Sequence, residues 1–226
     1  MSIAIIPARG GSKRIKNKNL RNFFGKPLIS YSILAAKKSK LFKRIIVSTD
    51  DKKIKKISEK YGAEVPFLRP KNISGDKTKA QDVFIHAIRY LERKKVKFNY
   101  VCGIYPTAPL LQIKDLIQGF KKVKKWNYVF SACKHEKSVI RSFILNKNKK
   151  INFIKPNFIN KNTQELPDSF YDAGQFYWAD KKSWLNQNMY LLKGSLVEID
   201  KKFVQDVDYI NDLKILKKKF KKIKKI

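Results

Sequence analysis

The chain has 226 residues, 43% of them apolar and including 15 Phe and 10 Tyr, enough to bury a substantial core in one domain over residues 1–226. Lys and Arg number 52 against 18 Asp and Glu, a formal charge of +34. The lysines run along the whole chain among many Ile and Asn, so they read as solvated faces that attract anionic substrates, not as a specific nucleic-acid surface.

Ile3 to Ile6 is an unbroken apolar run ending at Pro7, the pattern of a strand buried on both faces of a parallel sheet. Ala8-Arg9-Gly10-Gly11-Ser12 follows, with Lys13, Arg14, Lys16 and Lys18 close behind and Asn19 after them. Two glycines would let the backbone turn tightly and present N–H groups to an anion, inside a ring of cations. That is what a polyphosphate site requires, although the Walker A and G-x-G-x-x-G spacings are both absent.

Pro27 suits the first position of a helix over Leu28 to Ala36. Arg44 to Ser48 reads as a second strand, with Asp50 or Asp51 capping a helix to Tyr61 and Gly62 ending it. Val65 to Leu68 reads as a third strand, closed by Arg69-Pro70. A helix carries Val83, Phe84, Ala87, Ile88 and Leu91 on one face. Tyr100 to Tyr105, a helix over Ile113 to Val123, and Tyr128 to Cys133 follow. Strands alternating with helices predict an α/β, mostly parallel sheet whose ligands lie at the carboxyl ends of its strands. Cys102 and Cys133 fall in apolar runs and read as reduced core thiols of a cytoplasmic protein. No leader segment and no run of eighteen apolar residues is visible, so neither export nor a membrane span is expected.

Residues 134–170 break the rhythm. Ser142 to Leu145 and Ile151 to Ile154, joined by an Asn- and Lys-rich turn, predict an inserted hairpin arm of use in oligomerisation. Gly174 to Trp178, Leu196 to Ile199 and Phe203-Val204 read as strands, and Tyr209 to about Phe220 as a last helix with a fraying Lys-rich tail. Asp206 and Asp208, two apart, would project both carboxylates to one face of an extended segment and could hold Mg²⁺ with phosphate oxygens and water. Alternatively, Asp208 caps the last helix. His86, His135, Ser12, Ser48 and Ser131 form no metal or acyl-transfer constellation.

Pro7 to Arg14 followed by Lys18-Asn19 resembles the opening of the CMP-sialic acid synthetases. Arg44 to Asp50, Leu68-Arg69-Pro70, Tyr105 to Leu110 and Val204 to Asp208 resemble further motifs of that family, in the same order. Tyr105, Leu111 and Asp172-Ala173 depart from the usual pattern of the sialic acid synthetases, and the stretch Tyr171 to Trp178 resembles the family's pseudaminic acid branch. The resemblance implies a Rossmann-like, three-layer nucleotidyltransferase fold and a homodimer. It implies transfer of CMP from CTP to a nonulosonic acid, assisted by Mg²⁺, with release of pyrophosphate and a product used in surface or flagellin glycosylation.

On that resemblance Ala8, Arg9, Gly10, Gly11 and Ser12 would hold the triphosphate. Lys18 would neutralise charge at the α-phosphate, and Asn19 would orient the nucleotide. Arg69 with Asp76 and Thr78 would read the cytosine edge. Asp206 and Asp208 would hold the metal, and Tyr105, Asp172 and Gln175 would face the sugar. Pseudaminic acid is the expected sugar, with N-acetylneuraminate and legionaminate as alternatives. A metal-dependent glycosyltransferase using Asp206-Val207-Asp208 is the competing class. The cation-rich loop favours a synthetase, which must hold a triphosphate there.

Overall fold

The computed structural model describes residues 1–186, 189 and 192–225. Its central sheet has six strands in the order β10-β6-β9-β5-β1-β4. These are β1 (Ser2–Pro7), β4 (Arg44–Ser48), β5 (Tyr100–Ile104), β6 (Tyr128–Lys134), β9 (Phe170–Asp180) and β10 (Gly194–Glu198). β1 runs parallel to β4 and β5, and β10 parallel to β6. β9 alone is antiparallel to both of its neighbours. The sheet is therefore mixed and mostly parallel, as the alternation of strands and helices predicts.

The pleat of β1 sorts the chain into three layers. Ala4 and Ile6 face α1 (Leu28–Ser39), α2 (Lys52–Lys60) and α4 (Ile113–Val123), meeting Ile29, Ile33, Ile54 and Leu116. Ile3 and Ile5 face α3 (Ala80–Arg93) and α5 (Lys181–Leu185), meeting Phe84, Ile88, Leu91 and Trp184. Burying such side chains fully contributes about 1.5–3 kcal/mol each. Cys102 and Cys133 are free and buried in this core, and burial pushes both thiols up. Among the described residues no helix is long and apolar enough to cross a membrane.

Four local expectations change. Val65 to Leu68 forms no continuous strand and is flanked by isolated bridges of Glu64 with Ile46 and of Leu68 with Thr49, Pro66 between them having no N–H to donate. Phe203 ends a 3₁₀ turn, Lys201–Phe203, which Asp200 starts by accepting from the Lys202 N–H. Pro27 precedes α1 and pairs with Asn22 in a small hairpin of β2 (Asn22–Phe23) and β3 (Lys26–Pro27). Phe24 and Gly25, both at positive φ, make its turn. The Lys-rich tail is helical through α6 (Ile210–Lys224). Leu213, Leu216 and Phe220 anchor that helix, with Phe220 stacked on Phe24 and edge-on to Phe23 and Tyr31.

The inserted stretch carries the antiparallel hairpin of β7 (Phe143–Leu145) and β8 (Ile151–Phe153). Every residue of both strands is exposed.

Candidate active site

Loops at the carboxyl ends of β1 and β5, with the stretch from Arg69 to Ala80, line a cavity of about 270 Å³. β1 delivers Arg9 to Asn19 and β5 leads to Tyr105, Pro106 and Thr107, while β4 leads to Asp50, which is not among the lining residues. Ala8 donates its N–H to Ser48 and is wholly buried, so it fastens the loop to β4 without lining the cavity.

The loop turns tightly at the two glycines, the Ser12 N–H donating to the Gly10 carbonyl at 2.9 Å, although neither glycine has positive φ. A Cβ on Gly10 would lie 2.7 Å from Asp51 Oδ2 and 2.8 Å from Asp51 Cβ, so glycine is required there by close approach. The Gly10 N–H donates to Asp50 Oδ1 at 2.9 Å, while a Cβ on Gly11 would meet open space. Asp51 caps α2 by accepting from the Lys53 and Ile54 N–H groups. Asp50 is left to hold the loop, a duty that its reading as a helix cap obscured.

Five cations line the cavity, Arg9, Lys13, Arg14, Lys18 and Arg69, against two acids, Asp76 and Asp208. Arg9 and Lys13 converge on Asp76 at 2.6 and 2.7 Å. Arg14 and Lys18 converge on Asp208 at 2.7 and 3.9 Å. Lys18 also donates to the Val207 carbonyl at 2.6 Å. Its burial lowers its pKa, with Asp208 and Asp206 acting in the opposite sense. Arg69 is buried, donates to Ser74 Oγ at 3.2 Å and lies 3.7 Å from Asp50. Burial lowers its pKa too, against the pull of Asp50. Asn19 is buried and donates to the Arg9 carbonyl, which leaves its Oδ1 without a partner. Ser12 and Thr78 complete this wall. Asp76 thus turns toward the loop cations.

The residues assigned to the sugar are dispersed. Tyr105 lines the cavity, its ring 5.5 Å from that of Tyr177. The Tyr177 hydroxyl donates to Asp172 Oδ2 at 2.6 Å, and Asp172 Oδ1 accepts from the Gly174 N–H. Gln175 is buried, donates to the Phe203 carbonyl and keeps an unpartnered Oε1. It lines a small adjoining recess with Thr107 and Asp206. Thr107 borders both spaces. It was missed as a site residue, although it lies inside the motif that begins at Tyr105.

The capping alternative for Asp208 does not hold. Asp212 Oδ2 accepts from the Asp208 and Tyr209 N–H groups, and the Asp208 side chain faces Arg14 and Lys18 instead. Asp206 is exposed, with Oδ1 accepting from the Val207 N–H. Among the described residues no group of three or more Asp, Glu, His or Cys gathers to hold an ion. Two carboxylates beside a phosphate-sized cavity nevertheless suit a hard cation that takes one or two carboxylates and completes its shell with phosphate oxygens and water.

The profile of the cytidylyltransferase family matches residues 3–225. The chain is 37% identical over 219 residues to a pseudaminic acid cytidylyltransferase of Campylobacter jejuni, covering 96% of this chain and 94% of that one. It is 31% identical to a CMP-N,N'-diacetyllegionaminic acid synthase of the same organism, covering 95% and 92%. A solved CMP:2-keto-3-deoxy-manno-octonic acid synthetase complexed with CTP superimposes with a TM-score of 0.71 at 16% identity, covering 98% of this chain and 99% of that one. This last likeness concerns the fold alone.

Proposed function

The chain belongs to the cytidylyltransferase family, and from that premise we propose that it transfers CMP from CTP to the anomeric hydroxyl of pseudaminic acid, giving CMP-pseudaminic acid and pyrophosphate. It is a CTP-dependent nucleotidyltransferase. The observation that carries the fuller reading is the single cavity in which five cations surround two carboxylates at the carboxyl edge of the sheet.

Phosphoryl-type transfer asks a protein chiefly for positioning and charge neutralisation. Arg9, Ser12 and the Gly11 N–H would hold the triphosphate, and Arg69 with Thr78 would meet the base. Lys18, fixed by the Val207 carbonyl, is set to stabilise charge that grows on the α-phosphate as the bond to pyrophosphate breaks. The free Oδ1 of Asn19 suits a hydroxyl donor of the nucleotide. Tyr105, Gln175 and Asp172 would bound the sugar side. Asp206 and Asp208 would hold Mg²⁺, which neutralises phosphate oxygens when bound.

The exposed hairpin arm within residues 134–170 would join two such single-domain chains in a homodimer, and the enzyme would work in the cytoplasm. The identity of 37% to the pseudaminic relative against 31% to the legionaminic one favours pseudaminic acid. Pyrophosphate release, measured with CTP against a panel of nonulosonic acids, tests the reading. Strong turnover with pseudaminic acid is expected. Release only with a different sugar, or only from a nucleotide other than CTP, would refute it.

A further inference from the structure

The two acids of the cavity pair with four of its five cations, the fifth, Arg69, lying 3.7 Å from Asp50. Asp208 takes Arg14 and Lys18, while Asp76 takes Arg9 and Lys13. Asp76 sits in the loop between a 3₁₀ turn ending at Ile73 and α3, beside Gly75 and far from the loop that it contacts in sequence. Hydrogen bonds from Lys13 and Arg9 hold its carboxyl below the usual carboxylate range, so it is charged at neutral pH. The carboxylate therefore lies where two of the cations nearest the glycines would otherwise meet phosphate oxygens.

We infer that Asp76 is a displaceable counter-anion, whose carboxylate occupies the place of the distal phosphates between Arg9 and Lys13 and by returning there hastens the departure of pyrophosphate. The inference rests on the proposed reading of this cavity as a triphosphate site. Both pairs are partly exposed, with Asp76 at 41% and Lys13 at 81% of their side-chain surface, and exposed pairs are weak. A triphosphate with several charges displaces such a carboxylate readily. A leaving pyrophosphate, no longer tethered to the nucleotide, competes with a carboxylate that is covalently part of the site and so always at high local concentration. Asp76 also keeps Arg9 and Lys13 from repelling each other while the cavity holds no anion.

The test is calorimetric titration of inorganic pyrophosphate into wild type, Asp76→Asn and Asp76→Ala, with melting curves as a folding control. Both variants should bind pyrophosphate about three- to tenfold more tightly than wild type. Product inhibition by pyrophosphate should strengthen by the same factor, and the KM for CTP should not rise. If Asp76 instead anchored the loop for nucleotide binding, the KM for CTP would rise and pyrophosphate would bind no more tightly. That outcome overturns the inference and leaves the triphosphate site standing. If neither wild type nor variant binds pyrophosphate or inorganic tripolyphosphate, the anion-site reading fails and the inference with it.

Discussion

Lys18 Nζ donates to the carbonyl oxygen of Val207 at 2.6 Å, joining the loop after the first strand to the segment before the last helix. The bond fixes an ammonium group between two stretches that carry opposite charges. Asp206 and Asp208 flank the accepting residue, and Arg14 stands over Asp208. One short contact thus ties the cavity-lining cations to the carboxylates read as metal ligands.

Lys18→Ala should lower kcat by about 10²–10³ while changing the KM for CTP far less, because its charge matters most where the transition state becomes more anionic. Steady-state kinetics at saturating sugar decide the matter. An unchanged kcat with a raised KM would make Lys18 a docking residue only.

Asp208→Asn should abolish turnover at ordinary Mg²⁺, and Asp206→Asn should raise the Mg²⁺ concentration needed for half-maximal rate, since an amide is a weaker ligand for a hard cation. Neither should lower the melting temperature much, because Asp212 takes the backbone N–H groups at the start of α6. Near-normal turnover in both variants across a Mg²⁺ titration would remove the metal site.

Sequence revealed those elements whose local pattern and tertiary setting agree. β1, β4 and β5 are apolar runs buried on both faces, and α3 carries a clean apolar stripe. Where the pattern was ambiguous, single contacts decided. Pro66 interrupts pairing beside β4, and three aromatic contacts from Phe220 hold a lysine-rich helix that charge alone would fray. The cation-rich loop after β1 was legible because cations and glycines cluster within a dozen residues. The partners of those cations were not, since Asp76 and Asp208 reach them from two distant stretches of chain, as Asp50 reaches the Gly10 N–H from a third.

Asp115, in the first turn of α4, is buried, and burial raises its pKa. The folded state therefore keeps the proton at pH values where the unfolded chain has lost it, and stability declines as pH rises from about 3.9 through the folded pKa. Asp115→Asn removes that penalty. The variant should melt above wild type at pH 7, with the difference vanishing near pH 3. An equal or larger gain at pH 3 would contradict the assignment.

The hairpin of β7 and β8 exposes Phe143, Ile144, Leu145 and Ile151 together, a patch of the kind that marks an interface. Replacing Ile144 and Leu145 with Asp should shift the proposed dimer to monomer in analytical ultracentrifugation. Each lost apolar side chain removes about 1.5–3 kcal/mol of burial. A wild type that is monomeric at micromolar concentration, or a double variant that stays dimeric, would show that the arm serves another purpose.

Tyr105 bounds the cavity with a ring braced on Tyr177, whose hydroxyl is committed to Asp172. A wall of this kind offers a flat apolar face and one hydroxyl, where a glutamine would both donate and accept through its amide. It suits a sugar tail carrying a methyl group better than a fully hydroxylated one. A tail hydroxyl buried without a partner costs roughly 1–3 kcal/mol, so two such groups at about 1.4 kcal/mol each amount to roughly a hundredfold in kcat/KM. Pseudaminic acid, the deoxy diamino sugar, should therefore be preferred over N-acetylneuraminate by about that factor at saturating CTP. Tyr105→Gln should narrow the gap by improving the rate with N-acetylneuraminate. Equal kcat/KM for the two sugars in wild type would defeat the pseudaminic assignment. A preference that Tyr105→Gln leaves intact would move recognition to Asp172 and Gln175, the latter with a buried Oε1 that lacks a partner.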